Sequence, residues 1–179
     1  MQLHRDRILS TALELLNSYG LADVTMRRVS TTLGVAPGAL YWHVANKQAL
    51  IAGMAEEILS PVEGPDPVVF AMNLHATLIS WRDGAEVASA GLAFPDSHAW
   101  DTLIDKLSAS FDSLSDQTVS DDSIHAAALA IAHLVLGATQ MEQSQQQLLD
   151  TTGEGQTIDH VPDIRRGVEI IVKGLRAPL

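Results

Sequence analysis

The chain has 179 residues, a length that suits one hydrophobic core or two small ones and excludes a large multidomain enzyme. It contains no cysteine, so neither a disulfide nor a thiolate metal site can form. The segment MQLHRDRIL lacks the apolar core of a signal peptide, and no apolar run approaches the roughly 20 residues of a membrane span. With 46% hydrophobic residues and a net charge of −11, the composition predicts a soluble, cytoplasmic protein with no membrane partner.

Hydrophobic residues recur mostly at helical rather than strand spacing, which predicts an all-α fold. The first predicted helix spans residues 4–19, and its apolar stripe is formed by Ile8, Ala12, Leu15 and Leu16. We expect this helix to be a scaffold that holds the following helices at a fixed angle.

Residues 25–47 contain the start and stop signals of two short helices joined by a tight turn. Thr25 is a favourable N-cap, Gly34 is placed to end the first helix, and Pro37 stands where a second helix begins. Asn46 caps a third helix that continues to about residue 59. The pattern predicts a helix-turn-helix, whose second helix enters the major groove of DNA.

The charge distribution favours a nucleic-acid partner for this segment. Residues 24–47 include three basic side chains and no acidic one, which gives a local charge of +3. In residues 61–179, by contrast, 17 acidic residues stand against 6 basic ones. A basic patch in an otherwise acidic protein is the electrostatic footprint of phosphate binding.

The segment SPVEGPDP (residues 60–67) interrupts the helical pattern with three prolines and a glycine, which predicts a domain boundary. Four helices are predicted beyond it, over residues 66–82, from Pro95 or Asp96 to about 114, over 122–148, and from Pro162 onward. Residues 92–97, 115–122 and 149–161 are predicted to be loops or connectors.

The last two predicted helices are each apolar over a broad arc, more than one chain of this size is expected to cover. The economical arrangement is a self-complementary four-helix interface, with residues 122–148 and 162–176 from each of two protomers. Ile171 lies on the arc that we expect at this interface. The alternative, that both arcs face the chain's own core, stays open at this stage.

The run ALELLNSYGLADVTMRRVSTTLGVAPGALYWHVANKQAL resembles the DNA-binding domain of the tetracycline-repressor (TetR) family, and its LYWHV-x-NK-x-AL segment is especially similar to the tetracycline repressors proper. A weaker similarity continues in SWRDGAEV, HLVLG and GVEIIVKGL. The resemblance implies an N-terminal three-helix helix-turn-helix domain (residues 1–60) and a C-terminal helical ligand-binding and dimerisation domain (residues 61–179). It further implies a homodimeric regulator, a repressor that a small-molecule effector releases from a palindromic double-stranded DNA operator.

Carried over position by position, the resemblance implies DNA contacts from the helix-turn-helix. Arg27 is the candidate for gripping guanine bidentately, with a phosphate contact as the alternative. Gly38 and Ala39 stand among positions where tetracycline repressors carry longer polar residues, which implies a different operator. Trp42 is assigned either to the sugar–phosphate backbone or to the core. The complete set is Thr25, Arg27, Pro37, Gly38, Ala39, Tyr41, Trp42, His43 and Lys47.

An enzyme is the rival class, because the chain carries seven histidines. No two of them stand at the i, i+4 spacing of a helical zinc site, and His133 is interpreted as a hydrogen-bonded core histidine. There is no GxSxG motif and no glycine-rich phosphate loop. The sequence therefore predicts no catalytic residue, no metal site and no cofactor. A helical ligand-binding dimer that does not regulate DNA is a third class.

The resemblance also argues against magnesium–tetracycline as the effector. The family's metal-holding histidine and glutamate fall on Ala88 and Met141, and its drug-contacting asparagine and glutamine fall on Phe70 and near Lys106. Magnesium needs oxygen ligands in near-octahedral geometry. We expect an apolar pocket for a hydrophobic effector, with Lys106 as an anchor for an acidic group; ordinary core packing is the alternative for each residue. The expected lining is Phe70, Leu74, Leu78, Trp81, Trp100, Leu103, Lys106, His133 and Met141.

Overall fold

The computed structural model describes residues 3–95, 97–112, 119–156 and 158–175. These residues form helices, turns and loops, which confirms the predicted all-α class. The α-helices are α1 (Arg5–Tyr19), α2 (Met26–Leu33), α3 (Pro37–Tyr41), α4 (Lys47–Leu59), α5 (Pro67–Ile79), α6 (Gly84–Leu92), α7 (Ala99–Ala109), α8 (Asp121–Thr152) and α9 (Val161–Leu175). A short 3-10 helix, Leu21–Asp23, joins α1 to α2.

The first four helices pack around the apolar stripe of α1. Its residues Ile8, Ala12 and Leu16 are fully buried, as the sequence predicted. Val29 of α2 and Leu40 of α3 are buried in the same apolar core, and α4 contributes Leu50, Met54 and Ile58. The scaffold role expected for α1 is therefore confirmed: it supports α2 and α4 directly.

The ends of these helices carry the caps that the sequence predicted. The Thr25 hydroxyl accepts a hydrogen bond from the Arg28 amide at 3.1 Å, and the Asn46 side-chain oxygen accepts one from the Ala49 amide at 2.8 Å. Gly34 ends α2 in the left-handed conformation with φ 69°, which glycine adopts without steric cost. These local signals fix where the chain turns between α2 and α3.

The remaining helices form the larger, C-terminal part of the core, and α4 joins it to the first three. Helices α4 and α6 approach so closely that a Cβ on Gly91 would lie 2.4 Å from the Cβ of Ala55. It would also lie 3.1 Å from the carbonyl oxygen of Ile51. The two helices therefore pack backbone to backbone at Gly91, with no side chain of this residue between them.

Helix α6 is absent from the sequence prediction. Its sequence, GAEVASAGL, is dominated by small residues, so it gives no stripe of large apolar side chains. The smallness of the side chains is what permits the close approach to α4.

Several helix boundaries differ from the prediction. Helix α5 ends at Ile79 rather than near residue 82, and α7 begins at Ala99 rather than at Pro95 or Asp96. Helix α8 is capped by Ser120, begins at Asp121 rather than at residue 122 and continues to Thr152 instead of 148. Several predicted features lie outside the described residues: Asp96, the predicted end of α7 near residue 114, residues 115–118 of the connector, Thr157 of the last loop and residue 176.

Helix α8 is long and apolar enough, by length and composition, to cross a membrane. However, Ala128, Ile131 and Val135 are fully buried against the other helices of this chain. These residues make α8 part of the chain's own core.

Helix α9 turns its apolar arc towards its own chain. Ile164 and Val168 are fully buried, and Ile171 is half-buried against the core. Ile164 and Val168 therefore pack inside the chain, because α5 and α8 both lie against α9. The four-helix interface between two protomers stays a prediction. Helices α8 and α9 still expose large apolar side chains, but on other faces, namely Met141, Leu148 and Ile170.

Candidate nucleic-acid interface and effector site

The nine side chains predicted to contact DNA all lie at the surface of the helix-turn-helix or half-buried beside it. Trp42 is 90% exposed and Tyr41 is 52% exposed, while Leu40 and Val44 fill the core beneath them. The assignment of Trp42 to the core is therefore wrong. The remaining members of the set are Thr25, Arg27, Pro37, Gly38 and His43, all exposed, and Ala39 and Lys47, both half-buried.

The tip of α3 is flat and carries no long polar side chain. Pro37 occupies the first helical position, and a Cβ placed on Gly38 would meet no atom of the chain within 4 Å. The half-buried Ala39 offers only a methyl group. Such a tip permits close approach of a DNA backbone or of a thymine methyl group but offers no side-chain hydrogen bond to a base edge.

The two neighbouring arginines of α2 have different surroundings. The Arg28 guanidinium forms an ion pair with Asp23 and lies 4.0 Å above the centre of the Tyr19 ring. Arg27 is exposed, and its guanidinium makes no hydrogen bond or ion pair within the part of the chain that the structure describes. Asp23 lies just before residues 24–47, the segment with a local charge of +3. Its ion pair with Arg28 neutralises one of these three positive charges.

The residues predicted to line an effector pocket are dispersed over the core. Phe70, Leu74 and Leu78 of α5 are fully buried, and Leu103 of α7 is nearly so. These four residues pack within the apolar core of the chain. Met141, in contrast, is 57% exposed on the outside of α8.

Trp100 and His133 lie together at the mouth of a cleft between α6, α7 and α8. Their ring centres are 5.3 Å apart, and the rings are tilted by 42°. The cleft has a volume of about 390 Å³ and is also lined by Ser89, Leu92, Leu136, Gly137 and Gln140. Since His133 is exposed in this chain, its interpretation as a core histidine is wrong.

Lys106 already has a partner within the chain. Its ammonium group donates to the carbonyl oxygen of Ser60 at 2.7 Å and lies 3.5 Å from that of Val62. These carbonyls follow the C-terminal end of α4, where a positive charge is favoured. Lys106 therefore ties α7 to the end of α4, and the adjoining cleft of about 240 Å³ between these helices also contains Glu56. The expectation of a free cationic anchor does not fit this geometry.

Trp81 lines a third cleft, which lies between the turn after α5 and the C-terminal half of α8. This cleft has a volume of about 410 Å³, and most of its lining is polar: Arg82, Asp83, Glu142, Gln143, Gln146, Gln147, Asp150 and Thr151. The predicted effector residues are therefore divided between three clefts, the solid core and, for Met141, the outer surface of α8.

Two polar contacts near this cleft were not predicted from the sequence. The ring of His75 lies 2.9 Å from the carboxylate of Glu142, and both side chains are largely buried. Gln143, the next residue, hydrogen-bonds the backbone at both ends of the turn between α5 and α6. Neither contact has a signal in the sequence, because the partners stand about 60 residues or more apart. The described residues contain no group of three His, Cys, Asp or Glu side chains that could hold a metal ion.

A helix-turn-helix with exposed aromatic and cationic side chains, joined through α4 to a larger helical core, defines a DNA-binding regulator of the helix-turn-helix class. The comparisons with known proteins agree. The family model described as "Bacterial regulatory proteins, tetR family" matches residues 8–54. The class C tetracycline repressor protein of Escherichia coli is 32% identical over 167 residues, which cover 87% of this chain and 73% of the relative.

Solved structures resemble the whole chain. The crystal structure of Mycobacterium smegmatis BioQ has a TM-score of 0.85 and 34% sequence identity, and the alignment covers 97% of this chain and 98% of that one. A structure of BioQ with its natural double-stranded DNA operator has a TM-score of 0.81 and 33% identity, covering 99% of this chain and 100% of that one.

The chain belongs to the TetR family of bacterial regulatory proteins. As a member of that family it is a ligand-responsive, DNA-binding transcriptional regulator that acts as a homodimer, and it is not an enzyme. The rival classes considered from the sequence are thereby excluded.

Proposed function

We propose that this protein is a cytoplasmic repressor that binds a palindromic operator and leaves it when a small hydrophobic effector binds the core. Residues 1–60 would form the DNA-binding headpiece and residues 61–179 the effector-binding and dimerisation domain. The observation that carries the proposal is Trp42, a tryptophan 90% exposed between the exposed Tyr41 and His43. A large apolar side chain held in solvent at the end of a recognition helix indicates a surface that a partner covers.

On this proposal the headpiece divides its contacts between the backbone and the bases. Tyr41, His43 and Lys47 contact phosphates, Thr25 approaches the backbone, and Trp42 packs against a sugar. Arg27 is the base-reading side chain, and the flat tip of α3 lies against the groove. The similarity to BioQ, which has been solved with its operator, supports this surface as the DNA-binding one.

Lys47→Ala tests whether this surface binds phosphate. We expect weaker binding to all DNA sequences, and a slope of log affinity against log salt concentration that is reduced by about 0.9 for the lost phosphate contact. Fluorescence anisotropy with labelled operator and with random DNA, at several salt concentrations, measures both quantities. Arg165→Ala, which removes an exposed cation from the side of α9 away from the exposed Ile170, serves as the control. A slope that Lys47→Ala leaves unchanged would remove this lysine from the interface.

We place the effector in the cleft between α6, α7 and α8. Trp100 and His133 offer aromatic faces there, and Leu92 and Leu136 offer apolar surface. The position suits a regulator, because α6 forms one wall of the cleft and is in backbone contact with α4 through Gly91. An effector that moves α6 would act on α4, the helix that links the helix-turn-helix to the core.

Tetracycline with magnesium is expected not to release the operator. Ala88 is buried in α6 and offers no metal ligand, and the carboxylate of Glu142, which lines the cleft beside Trp81, is already paired with His75 at 2.9 Å. Titration with tetracycline, with and without Mg²⁺, is followed by tryptophan fluorescence and by operator release. Release at micromolar drug that depends on magnesium would contradict the prediction. A class C tetracycline repressor assayed in parallel is the positive control.

A further inference from the structure

The turn between α5 and α6 (residues 80–83) touches the headpiece directly, at the end of α1 and the 3-10 helix rather than at α4. The carboxylate of Asp83 accepts a hydrogen bond from the backbone amide of Leu21 at 2.7 Å. The backbone amide of Arg82 donates to the side-chain oxygen of Asn17 at 3.1 Å. These bonds join the effector core to the end of α1 and to the 3-10 helix that leads into α2.

Asp83 is the N-cap residue of α6, yet its carboxylate does not cap that helix. Its backbone is left-handed, with φ 54° and ψ 25°, and it is the one residue other than glycine with a positive φ among those described. Asp tolerates this conformation better than most residues, but the conformation persists only where neighbouring contacts hold it. Here it directs the carboxylate away from α6 and onto the headpiece.

Gln143 of α8 supplies the cap that Asp83 does not. Its side-chain oxygen accepts a hydrogen bond from the Ala85 amide at 3.0 Å, which satisfies a free donor in the first turn of α6. Its side-chain nitrogen donates to the carbonyl oxygens of Trp81 at 2.8 Å and Leu78 at 3.2 Å. One amide on α8 thus fixes both sides of the turn.

The fit on the headpiece side is close. Gly20 has φ 86°, and a Cβ at this position would lie 2.9 Å from the Asp83 carboxylate and 3.1 Å from the Arg82 guanidinium. Glycine is therefore favoured at this position for two reasons. It adopts the positive φ without steric cost, and it has no Cβ to obstruct the turn. The absence of a side chain at Gly20 thus leaves room for the turn beside the Leu21 amide.

We propose that the α5–α6 turn, held by Gln143, is a second attachment of the headpiece to the core, and that it sets the operator spacing the dimer accepts. One attachment through α4 leaves the headpiece free to tilt about that helix, whereas two fix its angle relative to α8. In a dimer the angle fixes the separation of the two recognition helices. This inference rests on the proposed binding of a palindromic operator by a dimer.

The experiment compares operators whose half-sites are moved apart or together by one and two base pairs, together with a single half-site. The parent operator is selected from random double-stranded DNA with the wild-type protein. Asp83→Gly removes the carboxylate while leaving a residue that accepts the left-handed backbone, and Asp83→Asn retains an oxygen acceptor. Asp105→Ala, which removes an exposed carboxylate from α7, is the matched control.

We expect Asp83→Gly to keep its affinity for the half-site, to lose about tenfold on the parent operator and to discriminate less between spacings. Asp83→Asn should restore most of the spacing preference, and Asp105→Ala should match the wild type. Gln143→Ala releases the turn from α8 and should show the same half-site affinity and the same loss of spacing preference as Asp83→Gly. It provides the test if Asp83→Gly does not fold.

A folded Asp83→Gly protein with the wild-type spacing preference would overturn the inference. An equal loss on half-site and full operator would also overturn it, because that result indicates a damaged headpiece and not an altered angle. If the wild-type protein selects no palindrome, the proposed function fails instead, so the two failures are distinguishable.

Discussion

Ile170→Glu is expected to convert the dimer into monomers and to lower operator affinity by about 100-fold or more. Ile170 is 59% exposed on α9, and Met141 and Leu148 are exposed on α8. We propose that these residues lie in the dimer interface, where a buried, unpaired carboxylate is costly. The loss in affinity follows because two linked headpieces bind DNA about 10²- to 10⁴-fold more tightly than one. Sedimentation measures the state of assembly, and anisotropy measures operator binding.

Val69→Glu is the matched control for this substitution. Val69 is an exposed apolar residue in the first turn of α5, where a negative charge is favourable. We expect this variant to remain a dimer with wild-type affinity. Ile171→Glu is a poorer test, because Ile171 is half-buried against its own core and a charge there also destabilises the monomer. An Ile170→Glu protein that sediments as a dimer would place the interface on another face.

The contrast between Ile170 and Ile171 shows what periodicity alone can predict. A broad apolar arc predicts that a helix is buried on that side, but it does not say which neighbour covers it. The arc of α9 includes Ile164 and Val168, which pack inside the same chain. Ile170, on the opposite side of α9, is the residue that we propose meets the partner protomer. The sequence does not distinguish it from Ile171, and only the exposure of each side chain does.

The headpiece was predictable because its signals are local. A capping threonine, a glycine at the end of α2, a proline at the start of α3 and a capping asparagine all act within a few residues of their positions. The elements that link headpiece and core are not local. Asp83 lies 62 residues from Leu21, and Gln143 lies 58 residues from Ala85. No pattern in the sequence identifies such pairs.

The same limitation explains the dispersal of the predicted effector residues. The alignment of family motifs identified positions near the core, but it does not show whether a polar side chain there is hydrogen-bonded to a nearby backbone group. Lys106, the predicted anchor for an acidic group, donates to the carbonyl group of Ser60 at the end of α4. The sequence does not reveal this partner, so it could not show that the ammonium group is already hydrogen-bonded within the chain.

Arg27→Ala and Arg28→Ala are expected to separate DNA recognition from stability, although the two residues are adjacent. Arg27 has a free, exposed guanidinium within the described structure, so its loss should leave the free energy of unfolding nearly unchanged. Operator affinity should fall about 10- to 100-fold, because a bidentate contact with guanine contributes about 1–3 kcal/mol of discrimination. Urea unfolding and anisotropy measure the two quantities.

Arg28 should show the reverse pattern. Its ion pair with Asp23 is partly exposed and contributes up to about 1 kcal/mol, and its contact with the Tyr19 ring contributes a similar amount. We therefore expect Arg28→Ala to lower the free energy of unfolding by about 1 kcal/mol and to change operator affinity only slightly.

Arg27→Lys distinguishes base reading from a phosphate contact. Lysine keeps the positive charge but lacks the planar fork that grips guanine. If Arg27 reads a base, the lysine variant should keep the salt dependence of binding while losing preference at one base pair in each half-site, as measured against operators substituted at every position. If both Arg27→Ala and Arg27→Lys keep the full sequence preference, Arg27 contacts phosphate alone. Specificity would then have to come from the flat tip of α3 and from the shape of the DNA.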